Sequence, residues 1–203
     1  AQGAGAQDLE IVETQACRVV RGDLMIYIGI DNGVTGSIAF VGKCPSQIYP
    51  VPVKKELNYT KTAAFLQRVN VLKLIPMLTI EGDQSRCMIE RPMINPMRWV
   101  ASMSAMRALE ATLVVLEMRG IPYEYIDSRE WQSVLLPKMK PIPFEGKMTK
   151  AKAREIQHRA LKAASLLGAK RLFPSVELDG CKDADGLLIA EYCRRKCQGL
   201  LKN

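Results

Sequence analysis

Three places in this 203-residue chain put a carboxylate where an apolar run stops. "MIYIGI" (Met25 to Ile30) leads into Asp31, and "RCMI" leads into Glu90. "KDADGLLIAEY" sets Asp183 and Asp185 ahead of an apolar helical face. Each acid alone has an ordinary explanation. Asp31 can be a turn residue bonding its own loop. Either late aspartate can sit at a helix N-terminus, where the macrodipole favours negative charge. Glu90 is harder to dismiss, because glutamate is poor in strands and is not a usual turn former. If the strands ending in Asp31 and Glu90 are parallel neighbours, their charges lie side by side and repel. A bound divalent cation offsets that repulsion, and magnesium prefers such hard oxygen ligands.

The elements that must position these acids follow from the pattern. Met25 to Ile30 reads as a buried strand, "DNG" as a turn, and "GSIAFVG" as the returning strand of a hairpin. "SQIYPVPV" reads as a third strand, held to an edge by its prolines. "TKTAAFLQRVNVLKLI" (Thr60 to Ile75) has helical spacing with Thr60 as cap. Arg86 to Glu90 is a short strand stopped by Pro92, and Met97 to Gly120 a long helix closed by Gly120. "PYEYID" is a strand, and "DSREW" looks like a helix start. A proline-rich basic loop spans Pro137 to Lys150. Helices follow over Thr149 to Gly168 and Lys182 to Leu201. Strands first, then strand and helix alternating, imply a mixed α/β sheet with helices on its faces. Polar groups at the carboxyl ends of parallel strands in such sheets are placed for chemistry.

Charge points toward a polyanion. The formal net charge is +8. Between Arg129 and Arg171 stand eleven Lys or Arg against three acids, an excess as large as that of the whole chain. A solubilising lysine-rich surface would look the same by charge alone. Six scattered cysteines without a CxxC pair, and the single His158, argue against a structural zinc site and suit a reducing compartment. No run of about 18 apolar residues is seen, so no membrane span is expected. Residues 1–24 lack the basic start and apolar core of a leader; they read as an N-terminal extension, partly flexible, ahead of one domain over 25–203.

"YIGIDNGVTGSIAF", "MIERP" and "DADGLLIAEY", in that order and spacing, resemble the RuvC-type Holliday-junction resolvases of the ribonuclease H-like superfamily, phage and organellar forms in particular. The resemblance runs from about Met25 to Arg195. It implies a ribonuclease H-like mixed five-stranded sheet flanked by helices. Asp31 then corresponds to the acid on the first strand, Glu90 to that on the fourth, and Asp185 to the one opening the final helix. The family carries a second acid or a histidine three or four residues before that last acid. Here those positions hold Lys182 and Cys181, so Asp183 is offered as the missing ligand, with Lys182 as an alternative contact to the scissile phosphate. The implied chemistry is hydrolysis of a phosphodiester with two Mg2+ (or Mn2+) ions about 4 Å apart, without a covalent enzyme intermediate.

The same resemblance implies branched DNA as partner and a homodimer that cuts two opposed strands, with the helix from Met97 as a dimer element or as ordinary core. Arg91, Asn95 and Arg98, directly after Glu90, are candidates for contacts near the cut. Lys138, Lys140, Lys147, Lys150 and Lys152 are candidates for phosphate contacts, which position DNA and make affinity salt-dependent. Trp99 and Trp131 read as packing residues, and His158 is given no catalytic role. Other readings stay open. A nuclease for flaps, forks or RNA–DNA hybrids shares the chemistry. A sugar-kinase or actin-type ATPase has a similar "GIDNGVTGS" loop but needs a second half. A non-catalytic DNA-binding protein would not need the acids. The expected location is intracellular and soluble, in bacterial cytoplasm or an organelle matrix.

Overall fold

The computed structural model describes residues 25–42, 45–57, 64–80, 84–138, 149–178, 181 and 183–201, with the backbone alone at Lys150, Ala151 and Arg154. Five strands form a mixed sheet: β1 (Ile26–Ile30), β2 (Ser37–Gly42), β3 (Gln47–Pro50), β6 (Ser85–Glu90) and β7 (Tyr123–Ile126), in the order β3-β2-β1-β6-β7. The first three are antiparallel, whereas β6 lies parallel to β1, and β7 parallel to β6. The proline-bearing strand lies at an edge, where a missing donor costs least. The predicted parallel neighbours are therefore found, with Ile30 opposite Ile89 in register and the two acids next in line.

Alternation along β1 divides the core. Ile26, Ile28 and Ile30 point to one face, packing with Leu74, Leu109, Val115 and Leu116 of α1 (Val71–Met77) and α2 (Trp99–Met118). Tyr27 and the Gly29 position face the other side, toward α5 (Asp185–Cys197), with α3 (Ser128–Leu135) and α4 (Lys150–Leu172) outside it. From Gly186 to Cys193 every residue of α5 is buried, because the helix is enclosed by the sheet on one side and by other helices on the rest. That close seating requires glycine at 29: a Cβ there would lie 2.1 Å from the Gly186 carbonyl oxygen and 2.2 Å from the Ala190 nitrogen.

One predicted element is corrected. The helix expected over Thr60 to Ile75 is replaced by a hairpin, β4 (Val53–Leu57) with β5 (Phe65–Val69), followed by the short α1. Phe65, Leu66 and Val69 do fit a helical spacing, but pairing with Val53–Leu57 satisfies their backbone instead. Asn70 then caps α1 by accepting from the Lys73 amide at 3.3 Å, so the helix starts later. Thr60, the expected cap, lies outside the described residues. The stretch Pro96–Met118 is also long and apolar enough to cross a membrane by length and composition, unlike the expectation. Its inner side is committed to the core through Ala108, Leu109, Val115 and Leu116.

Candidate active site

Asp31 leaves the end of β1 into a tight turn, its amide donating to the Ser37 carbonyl at 2.9 Å. Gly36 lets the chain fold back: a Cβ there would lie 2.0 Å from the Asp31 carbonyl oxygen. Ser37, at the start of β2, is buried and its hydroxyl accepts from the Gly186 amide at 3.1 Å. This side-chain bond holds the first turn of α5 against the hairpin, 149 residues away in sequence. It brings Asp185, the first residue of α5, and Asp183, just before it, to the end of β1. Ligand oxygens of Asp31, Asp183 and Asp185 all lie within 4.8 Å of one another.

Glu90 stands beside this trio and not in it. The expected set of four is thus three aspartates plus a neighbour. Glu90 is engaged by Trp131 of α3, whose indole Nε1–H donates to Glu90 Oε2 at 3.0 Å. Trp131 is fully buried, as a packing residue should be, but it also orients an acid. On the other flank, α4 supplies two side chains that the sequence reading passed over. Lys162 Nζ donates to Asp183 Oδ2 at 2.7 Å, and the Ser165 hydroxyl bonds Asp185 Oδ1. The two residues lie three apart, on one face of a helix.

Crowded and buried, Asp31, Glu90 and Asp185 hold their protons more tightly than usual. Burial, then the charges of Glu90, Asp183 and Asp185, push Asp31 well above the usual carboxylate range, with Lys162 opposing. Glu90 is pushed up to about 7 by burial, opposed by the Trp131 bond and aided by Asp185, Asp183 and Asp127. Burial also raises Asp185; the Ser165 bond opposes this, and Asp183 adds to it. For Lys162 burial works against the charge, but the bond and charge of Asp183, then Asp185 and Asp31, outweigh it and hold the ammonium above its ordinary value. Like charges gathered in this way fit a divalent cation. The donors are all carboxylate oxygens, which suits magnesium or manganese and not a thiolate-seeking metal.

The remaining predicted residues divide. Arg91 is exposed and lies over the Tyr125 ring, 5.4 Å from its centroid. Asn95 is partly committed: its side-chain oxygen accepts from the Met97 amide at 2.9 Å, capping a 3-10 turn over Pro96–Arg98. Arg98, exposed, ends that turn. Lys138 follows α3 and Lys152 opens α4; both are exposed, and Lys152 lies 3.7 Å from Glu155. Lys140, Lys147 and Lys182 lie outside the described residues, and Lys150 is described by its backbone only. Trp99 is corrected: it is 64% exposed and not part of the core. Buried Ser102, Leu109 and Leu116 recur every seven residues along α2; Trp99 falls off that line, seven before the exposed Met106. His158 is exposed on α4, one turn before Lys162. A groove between the β4–β5 hairpin and α2, lined by Lys54, Arg68 and Arg107, was not foreseen at all.

An antiparallel meander of β3, β2 and β1 is continued by parallel β6 and β7, and a C-terminal helix brings further acids to the end of β1. The fold is ribonuclease H-like. No protein-family model matches the chain, and no curated protein matches it. Among solved structures it is similar to T. thermophilus RuvC in complex with Holliday junction substrate, at 14% identity and a TM-score of 0.48, covering 86% of this chain and 96% of that one. It is also similar to a Thermus thermophilus RuvC structure, at 16% identity and a TM-score of 0.46, covering 86% and 97%. For the yeast mitochondrial Holliday junction resolvase the identity is 16%, the TM-score 0.35, and the coverage 86% and 83%.

Proposed function

We propose that this chain is a divalent-metal-dependent endonuclease that resolves four-way DNA junctions. The observation that carries the reading is the gathering of Asp31, Asp183 and Asp185, from two distant parts of the sequence, into one set of oxygens within 4.8 Å. Mg2+ or Mn2+ held by these carboxylates would supply a water of lowered pKa and offset the charge on the leaving 3′ oxygen. Asp31 and Asp185 hold the ions from opposite elements, strand end and helix start. Trp131 engages one oxygen of Glu90 and leaves the other for the site. Arg91 and Arg98, exposed just beyond Glu90, and Lys138 and Lys152, on either side of the basic loop, hold the DNA backbone. The exposed apolar residues along α2, Val100, Met106, Val114 and Met118, support a homodimer that presents two such sites to opposed strands. Free thiols at Cys87, Cys181, Cys193 and Cys197 suit a reducing, intracellular compartment.

The test is incubation of the protein with a labelled four-way junction, a flap, a fork and a linear duplex, with and without magnesium. Symmetric paired nicks in the junction alone, dependent on metal, are expected. Cleavage of flaps or forks in preference to junctions would favour the related nuclease reading. Asp31→Asn should abolish cleavage and leave junction binding; full activity in that variant would remove the metal role from Asp31.

A further inference from the structure

Asp183 is an anion with almost no water. Its side chain is 4% exposed, and Oδ2 is taken by Lys162 Nζ at 2.7 Å. A buried carboxylate needs such a partner, or it must give up its charge. Lys162 differs. Its side chain is 39% exposed, so its ammonium can turn to water while its stem stays on α4. The pair therefore joins a fixed anion to a movable cation. Among the described residues Lys162 is the lysine or arginine that bonds this cluster directly.

Two cations compete for one oxygen here. A dication bound at Asp183 would lie within a few ångströms of the ammonium on Oδ2, and at such distances the two positive charges repel. Ser165 shows the contrast: a hydroxyl on Asp185 is neutral and adds no such repulsion. We infer that Lys162 is a resident counter-cation of the acidic cluster, holding Asp183 in place in the metal-free protein and giving way when a divalent ion binds. This rests on the metal-holding reading above and deepens it, since it makes Lys162 a positioning residue that sets how readily the site loads. Once displaced, the ammonium stays within a side chain's length of the cluster, so loading keeps a positive charge at the mouth of the site.

Manganese titration of the full chain without DNA, followed by calorimetry and by thermal melting, tests the inference. Lys162→Met keeps the stem and removes the charge. It is expected to bind Mn2+ about tenfold more tightly, within the usual range of coupling between two bound cations. Its metal-free Tm should fall, and saturating Mn2+ should return it close to that of the parent. Lys162→Arg keeps the charge and should bind Mn2+ no better than the parent. An Lys162→Met affinity equal to or weaker than the parent's would overturn the competition, even if its metal-free Tm falls. Asp183→Asn separates the two levels. If neither the parent nor Lys162→Met binds Mn2+ in a way that Asp183→Asn abolishes, the metal reading itself fails, and this inference with it. If the parent binds through Asp183 and the methionine variant binds no better, only the role of Lys162 fails.

Discussion

The two faces of the sheet carry helices of opposite fate. On one face α5 is buried from Gly186 to Cys193. On the other, α2 buries Leu109, Val115 and Leu116 but leaves Val100 at 83% and Met118 at 69% exposure. The difference teaches what each apolar surface is for. That of α5 is spent within the chain, where it fixes the position of Asp185 against Asp31. That of α2 exceeds what the sheet covers, and its outer side is exposed at Val100, Met106, Val114 and Met118.

The sharpest way to break the contrast is at the contact between β1 and α5. Gly29→Ala forces a methyl into the Gly186 carbonyl and the Ala190 amide. Overpacking against backbone should cost about 3 kcal/mol or more, read as a lowered urea midpoint. A destabilisation below about 1 kcal/mol would mean that α5 is seated less tightly than described. Trp131→Phe comes next. It removes the donor to Glu90 and some buried volume, for about 2 kcal/mol together. Because that bond opposes the upward shift of Glu90, its loss should raise the pH at which Glu90 gives up its proton in the metal-free protein, as read by NMR titration of its carboxyl carbon.

A smaller effect lies in the pH dependence of stability without metal. Glu90 holds its proton up to about 7, above its value of 4.5 when unshifted, so in that window the folded state binds more protons than the unfolded one. Stability should therefore decline as pH rises through the window, and Asp31 and Asp185, also raised, act in the same direction. Glu90→Gln should flatten the decline between about pH 5 and about pH 8 when melting is followed in chelator. Parallel curves for parent and variant would contradict the assigned shift. Smallest for folding, Val100→Glu with Val114→Glu on α2 should change stability by about 0.5 kcal/mol or less. If the proposed homodimer forms through α2, the same pair should shift the protein toward monomer in sedimentation; an unchanged association state would remove α2 from that proposal.

Much of this site is legible in the sequence, for a physical reason. Asp31, Glu90 and Asp185 each end or open a run of apolar residues, and a charge at such a boundary stands out against its neighbours. Lys162 and Ser165 do not, because α4 mixes polar and apolar positions about evenly and its sequence marks no face toward a partner. Trp131 reads as core by residue type, and the type conceals its one polar atom. The hairpin β4–β5 was misread because Phe65, Leu66 and Val69 satisfy helical spacing, while the strand that pairs with them, with Lys54, Lys55 and Glu56, carries little apolar signal. Tertiary pairing decided there against local pattern.

The bond from the Gly186 amide to Ser37 ties the first hairpin to the last helix. During synthesis, a ribosome that has made β1 and β6 has made Asp31 and Glu90, yet nothing to complete them. A product interrupted before Asp183 lacks two of the three clustered aspartates, and only a chain translated into α5 can gather all three.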